Sequence, residues 1–595
     1  MKRIKAKKKK KDNNGGKILK IIFSIIFIIC IVFILLYLFS NNKDILDNKI
    51  NIKTMYLASN TNEVKTYLLE STGEGEEKNE VLKEISPLPR GLKVEVIDKV
   101  KKYQDKNYYL IKVEENEYYI EDINLASKVN EVLLEEKIYT RTPTSILNIE
   151  DNKIITLSTK GNELEVIGYD KINEDGTVNK YKVKINDKEG YIYGKYISFT
   201  KEEAILNYMA DKYDKIHSKV KNSYGGGDAI KLDFYPNEKP VFENNKMPDS
   251  VYALYLNCGS NVINNIDAYI EFAKTTKINT FVVDIKDNET PAYPAKIFET
   301  LSPTTYKKAI NSYENYKNAI TKLKDVGFYV IGRITVFKDN YFVTDNPKVA
   351  ISTKEGKPYL HNKSYWPSAY NRDVWYYNVE LAKEAVKEFG FNEINFDYVR
   401  FPDRMRSVEG KVDVKNLYNE SKVEAIQRFV QYATDVLHEE NTYVSIDVFG
   451  ETTTSSYTTA YGQYWPAISN VADVISGMPY PDHFAAGSYG IAKPWNEPYR
   501  LMNNWARNAY DRQQEIPTPA KVRTWIQAYD VLKYVDSNGI SYGAKEIEDQ
   551  IRGLYDSKID GGYITWLSNS NLNKYKSQSK AFNIDYWKEY GVKNG

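Results

Sequence analysis

Cysteine and histidine are almost missing from this chain of 595 residues. Only Cys30 and Cys258 occur, and because Cys30 lies in an apolar run, no disulfide framework can be built in any compartment. The four histidines, at 217, 361, 438 and 483, include no HxxH or HExxH pair, so a histidine-based metal site finds no support. No metal and no cofactor is expected. Basic excess is also lacking where it would matter for nucleic acid. The net charge is +2, but residues 1–20 hold ten Lys/Arg against one acid, Asp12, which leaves −7 for the rest of the chain. The bulk of the protein is mildly acidic and offers no footprint for nucleic acid or any strongly anionic polymer. What is abundant is core material: 42% hydrophobic residues and 13% aromatics, 51 of them tyrosine. Global disorder is excluded.

The run Ile21–Phe39 has no charge. Its nineteen residues would span roughly 28 Å as a helix, near the ~30 Å bilayer core. It is longer than a signal-peptide core and lacks a small-residue cleavage site. The sequence predicts a single-pass helix at 21–39 with the basic tail 1–20 in the cytoplasm. The domains beyond residue 40 would then be extracellular, and the cell membrane would be one partner of the chain.

From 51 to 200 short strand-like runs are broken by polar turns. Val94–Val96, Tyr108–Val113 and Glu117–Ile120 alternate or run apolar at strand length, and the pattern returns about 80 residues on in Leu164–Ile167, Tyr181–Ile185 and Gly190–Ile197. The stretch "GYIYGKYI" at 190–197 resembles the closing hairpin of bacterial SH3-like domains. The resemblance covers 130–200 and, more weakly, 51–128, and implies small all-β modules that bind wall peptides or act as spacers. A polar connector, 201–250, contains the hinge Gly225-Gly226-Gly227.

From 251 to 595 strand-like and helix-like patterns alternate eight times. The strand-like runs are Val251–Asn257, Thr280–Asp287, Tyr329–Phe337, Glu393–Phe401, Tyr443–Gly450, Val474–Tyr480, Val522–Tyr529 and Gly562–Leu567. Amphipathic helices such as Val262–Thr275, Tyr376–Phe389 and Val423–Glu439 fill the gaps. The fold class is therefore α/β, a (β/α)8 TIM barrel. The competing doubly wound sheet needs a glycine-rich phosphate turn after its first strand, and Asn257–Asn261 has one glycine.

A barrel strand packs its outer face on helices and may carry polar groups inward near the C-terminal mouth. By that rule Ile394, Phe396 and Tyr398 face out, and Glu393, Asn395 and Asp397 face in. Ser445, Asp447 and Phe449 face in on the fifth strand, Asp284 and Lys286 on the second, and Trp525 and Gln527 on the seventh. Asp397 and Asp447 each stand fifth in their strand and should be level. Glycoside hydrolysis needs two carboxylates about 5–5.5 Å apart, or ~6.5–9.5 Å with water between, and adjacent strands lie about 4.8 Å apart. Glu451, further along the fifth strand, is the second candidate acid/base. Arg333 and Arg400 could bind acidic sugars or pair with the carboxylates. Trp366, Tyr480, His483, Trp525 and Trp566 fall in or beside βα loops where sugar faces could stack, whereas Trp375, at a helix start, reads as core.

The stretch Gly390–Pro402, "GFNEINFDYVRFP", resembles the signature of a family of glycosyl hydrolase-like domains, a domain of unknown function with a TIM-barrel fold. Val444–Gly450, Ile475–Phe484, Arg523–Gln527 and Gly562–Trp566 are similar to its later strand ends. The resemblance spans about 250–580. It implies kinship with α-amylase-type glycosidases, whose nucleophile ends the fourth strand, the position of Asp397. Two residues earlier, where those enzymes carry Arg, this chain has Asn395. The expected function is hydrolysis of cell-wall or surface polysaccharide through the paired aspartates. The alternative is a non-catalytic carbohydrate-binding or wall-organising protein. A metal-dependent deacetylase would need an Asp-His-His cluster for which no histidine pair exists.

Overall fold

The computed structural model describes residues 52–592, apart from 60–62, 73–78, 129–131, 133–134, 136, 174–176 and 455. Among the described residues no helix is long and apolar enough to cross a membrane. The run 21–39 lies outside them. The single-pass, outward-facing localisation expected from that run is therefore corrected: nothing in the described fold supports it, and it is not carried forward.

The N-terminal region is all-β, as two seven-stranded sheets of one design. With strands numbered along each sheet, the order is 3-2-6-5-4-1-7 both in Lys53–Ala126 and in Lys137–Ser198. The faint sequence repeat is thus a repeat of topology. In the second sheet Lys180–Ile185 pairs with Lys188–Tyr193, and the two turn residues, Asn186 and Asp187, both have positive φ. That is the mirror-image turn matching strand twist, and Asn and Asp tolerate it well. The first sheet closes over Leu57, Val64, Val94, Val96, Ile111 and Ile120.

The chain forms two compact units, one of residues up to 135 with 168–179, the other of 136–167 with 180 onward. Most of the second sheet therefore belongs with the barrel. Leu147, Tyr193 and Tyr196 enter the barrel's own outer core. Tyr196 Oη donates to Asp435 (2.8 Å) and Tyr193 Oη to Glu439 (2.9 Å). Lys195 pairs with Asp435 and Lys180 with Glu439. Asp435 lies on the helix Lys422–His438, and Glu439 is the residue just after it.

Eight parallel strands form a near-closed barrel: Val251–Leu256, Thr280–Asp287, Tyr329–Thr335, Glu393–Asp397, Tyr443–Phe449, Val474–Met478, a seventh in two pieces (Lys521–Val522, Thr524–Gln527), and Gly562–Trp566. The first strand pairs with both the second and the eighth. Phe281, Val283, Ile394, Phe396, Val444 and Ile446 pack outward with the helices. Val251, Ala253, Tyr255, Val282, Ile331 and Trp525 form a separate inner cluster. The sequence phasing rests on this division. The helix Arg372–Phe389 starts on Asn371, whose side chain accepts from the N–H groups of Asp373 and Val374, and stops at Gly390 with φ 69°. Trp375 is fully buried in that helix, in the core.

Most strands end one or two residues before the expected run, and two depart further. The fourth stops at Asp397 rather than Phe401, because Tyr398 takes φ 53°, a left-handed conformation rare for a bulky residue. The seventh breaks at Arg523, which sends its guanidinium 2.6 Å from Glu393, both fully buried. Tyr329 Oη donates to the other oxygen of Glu393 (3.0 Å).

Candidate active site

The pairing register runs Glu393↔Tyr443 to Phe396↔Ile446, so the next residues, Asp397 and Asp447, stand level at the C-terminal ends of neighbouring strands. Arg333, from the third strand, is buried between carboxylates. Its Nη2 lies 2.6 Å from Asp397 Oδ2, and its Nη1 lies 2.7 Å from Asp284 Oδ1 and 3.3 Å from Asp287 Oδ1. Asp397 Oδ1 accepts from the N–H of Tyr398 (2.6 Å). Both oxygens of Asp397 are therefore engaged by donors.

Asp447 is placed differently. Its Oδ1 accepts from Asn395 Nδ2 and from Trp525 Nε1, each at 2.8 Å. Its Oδ2 is buried with no hydrogen-bond partner among the described residues. Burial, and then the negative charge of Asp397, push its carboxyl well above the ordinary range, against the pull of Asn395, Trp525 and Arg333. Asp284 is pushed up to about 7 by burial, opposed by Arg333 and by the Tyr255 hydroxyl that donates to it.

Around this cluster Trp525 and Trp566 meet edge to face at 5.5 Å, and the Arg333 guanidinium lies 5.2 Å from the Trp566 ring. Tyr480 is buried in the same inner cluster and edges His483 at 5.1 Å. Trp366 is almost fully buried, 6.0 Å from the Tyr398 ring, and is no open stacking platform. Arg400 sits 4.7 Å from the rings of Tyr398 and Phe449 and pairs with Asp403 (3.1 Å). Gln527 has its Oε1 on the N–H of Asp482 and its Nε2 on the Tyr529 carbonyl, so it fastens loops.

Lys286 departs from the reading that set it beside Asp284. The second and third strands slip register between Asp284 and Lys286, and that slip reverses the alternation. Its ammonium is fully buried against Asp339 (2.7 Å), 5.4 Å from the Tyr377 ring. Glu451 lies in the short turn Gly450–Thr453, takes a hydrogen bond from Tyr461, and lines a cleft of about 890 Å³ with His483 and Met478. Met478 also packs on the inner cluster.

Residues 251–575 match the family described as "Putative glycosyl hydrolase domain". The chain belongs to this family. Among solved structures, a hypothetical protein from Ruminiclostridium thermocellum ATCC 27405 is 30% identical over 33% of this chain and 97% of its own, with a TM-score of 0.27. The PgaB (BpsB) glycoside hydrolase domain from Bordetella bronchiseptica is 13% identical over 57% and 99%, with a TM-score of 0.40. A class V chitinase from Pseudomonas fluorescens Pf-5 is 13% identical over 56% and 99%, with a TM-score of 0.36. No curated protein matches the chain.

In this family member, four site residues escaped the sequence reading. Tyr255 and Asp287 belong to the Arg333 cluster, and Asp482 and Tyr529 pair at 2.7 Å beside Gln527. Tyr255 was recoverable, since an inward phase on the first strand was open to the same alternation argument. Asp287 ends the second strand beyond the register slip, where alternation no longer reports direction. Asp482 lies in the short 3-10 turn Pro481–His483 and Tyr529 two residues past the end of the seventh strand, where alternation carries no phase.

Proposed function

We propose that the barrel is a retaining glycoside hydrolase acting on polysaccharide, with Asp397 as nucleophile and Asp447 as acid/base. The observation that carries this reading is the different treatment of two level carboxyls: Arg333 and a backbone N–H occupy both oxygens of Asp397, while burial and the neighbouring Asp397 drive Asp447 toward its protonated form. Environments that split two acids in this way assign their roles. Asp447 gives its proton to the glycosidic oxygen as Asp397 attacks the anomeric carbon, and the bond to the leaving sugar breaks. Asp447, now ionised, takes a proton from water, whose oxygen displaces Asp397 and regenerates both groups. Parallel neighbours at about 4.8 Å favour the short separation that covalent catalysis needs. Arg333 supplies from the third strand the guanidinium that α-amylase-type sites carry two residues before the nucleophile, where Asn395 stands here. Asn395 instead orients Asp447. Tyr480, Trp525 and Trp566 would wall the bound sugar.

The test is the purified full chain against wall polysaccharides and activated aryl glycosides, with Asp397→Asn and Asp447→Asn beside it. Asp397→Asn should abolish turnover. Asp447→Asn should cost least on aryl glycosides with good leaving groups, and the first product should keep its anomeric configuration by NMR. Glycan binding by all three proteins with no reducing ends released by any would replace this reading with the binding-protein one.

A further inference from the structure

Acids surround the barrel mouth, and the cations there are already engaged. Arg333 is shared among Asp284, Asp287 and Asp397. Arg400 is paired with Asp403, and its guanidinium is enclosed by the rings of Tyr398, Phe449 and Trp366 at 4.7–5.1 Å. Lys338 lies 5.1 Å from the Tyr398 ring. The cleft of about 890 Å³ beside the fifth and sixth strand ends is lined by Asp403, Glu451 and Asp482, and among the described residues its lining includes no lysine or arginine. Its histidine adds no charge at neutral pH, because burial holds the His483 imidazole below its ordinary value. Burial and repulsion from Asp403 push the Glu451 carboxyl up, so a cation placed near these two acids would lessen their repulsion. The rest of the lining is rich in rings, among them Phe449, Tyr461, Tyr489 and Tyr534, the last 82% exposed.

A substrate for such a cleft must have apolar ring faces and tolerate or exploit negative potential. An acidic polysaccharide meets like charge along the whole cleft. A neutral one leaves the field unused. We propose that the cleft binds a glycan bearing free amino groups, an unacetylated hexosamine chain, with ammonium groups near Asp403 and Glu451 and sugar faces on the neighbouring rings. This deepens the glycosidase reading by naming the substrate class, and it rests on that reading for the position of the cleft beside the reacting pair. Ammonium groups over tyrosine and phenylalanine faces gain a further attraction that an acetamide does not.

The experiment titrates the full-length protein calorimetrically with two probes of one backbone, the β-1,4-linked pentasaccharides of glucosamine and of N-acetylglucosamine, and reads cleavage in the same samples by mass spectrometry. At about 50 mM salt the glucosamine probe should bind about tenfold tighter, and the preference should shrink several-fold at about 500 mM. Glu451→Gln, which keeps an acceptor for Tyr461, should weaken the glucosamine probe several-fold more than the acetylated probe. Asp403→Asn should act in the same direction more weakly. Equal binding of both probes, tighter binding of the acetylated one, binding of neither, or a preference indifferent to salt and to both variants overturns the proposal. The two readings fail separately. Cleavage of an acetylated or neutral glycan with no amine preference leaves the hydrolase standing without this substrate class. A charge-dependent preference with no cleavage of any glycan leaves the amine-binding cleft without the hydrolase.

Discussion

Arg333 holds the site together, and its removal shows what a buried guanidinium among acids is for. Asp284, Asp287 and Asp397 all lie within 3.3 Å of it. Arg333→Ala would leave buried carboxylates without a counter-charge, a change that costs about 3–5 kcal/mol where measured. A urea melt of that variant should show a loss of this size together with loss of turnover; a variant as stable as wild type would mean that water reaches and satisfies the cluster. Asp284 makes a separate, pH-dependent prediction. Its carboxyl is raised to about 7 in the fold, against about 3.9 in an unfolded chain. The folded state therefore keeps a proton that the unfolded state gives up. The stabilisation from that proton is complete below pH ~3.9 and is lost as pH climbs through about 7. Asp284→Asn has no such proton to lose, so wild-type melting temperature minus variant melting temperature should fall between pH 4 and pH 8. A difference constant across that range would show that Asp284 stays ionised in the fold.

At the scale of strands, barrel closure turns on one glycine. Gly562 opens the eighth strand with φ 104°, and a Cβ there would lie 2.0 Å from the carbonyl oxygen and 2.4 Å from the nitrogen of Val251 on the first strand. Both obstacles are backbone in a parallel ladder, so neither can rotate away. Gly562→Ala should cost about 3 kcal/mol or more, read as a drop in denaturation midpoint or loss of soluble protein. Gly539→Ala, also at positive φ (63°) but with open space around its Cβ, should cost no more than about 1 kcal/mol. Equal costs would mean that the first and eighth strands are not held as described. The same scale explains what was legible. The inward phase of Asn395, Ser445 and Asp447 followed from alternation because helices cover one face of each strand and demand apolar residues there. Alternation failed at Lys286, past a slipped register, and the fourth strand was read too long, past Asp397 where Tyr398 itself turns left-handed, since neither irregularity leaves a trace in a hydrophobic pattern. Which inward groups would bond to each other was not legible either. Arg333 could have met a substrate or a neighbour, and only the folded spacing puts it on Asp397, Asp284 and Asp287.

At the scale of the whole molecule, the second β-module reads in the sequence as a small all-β domain of its own, and the chemistry of its contacts joins it tightly to the barrel. Tyr193 and Tyr196 give their hydroxyls to Glu439 and Asp435, Lys180 and Lys195 pair with the same two acids, and Leu147 enters the barrel's outer core. Asp435 is 5% exposed with both tyrosine and lysine in place. A chain cut to 225–595 would uncover this acid and the apolar surface under Leu147, Tyr193 and Tyr196 together. The module and the barrel should therefore unfold in one calorimetric transition, and the 225–595 fragment should melt several degrees lower than that transition and aggregate more readily. Tyr196→Phe in the full chain removes one buried hydrogen bond to a charged group, worth about 1.5–3 kcal/mol, and should lower the same transition rather than split it. Two resolved transitions, with the later one matching the fragment, would show that the module rests on the barrel without stabilising it, and that the barrel can be studied without it.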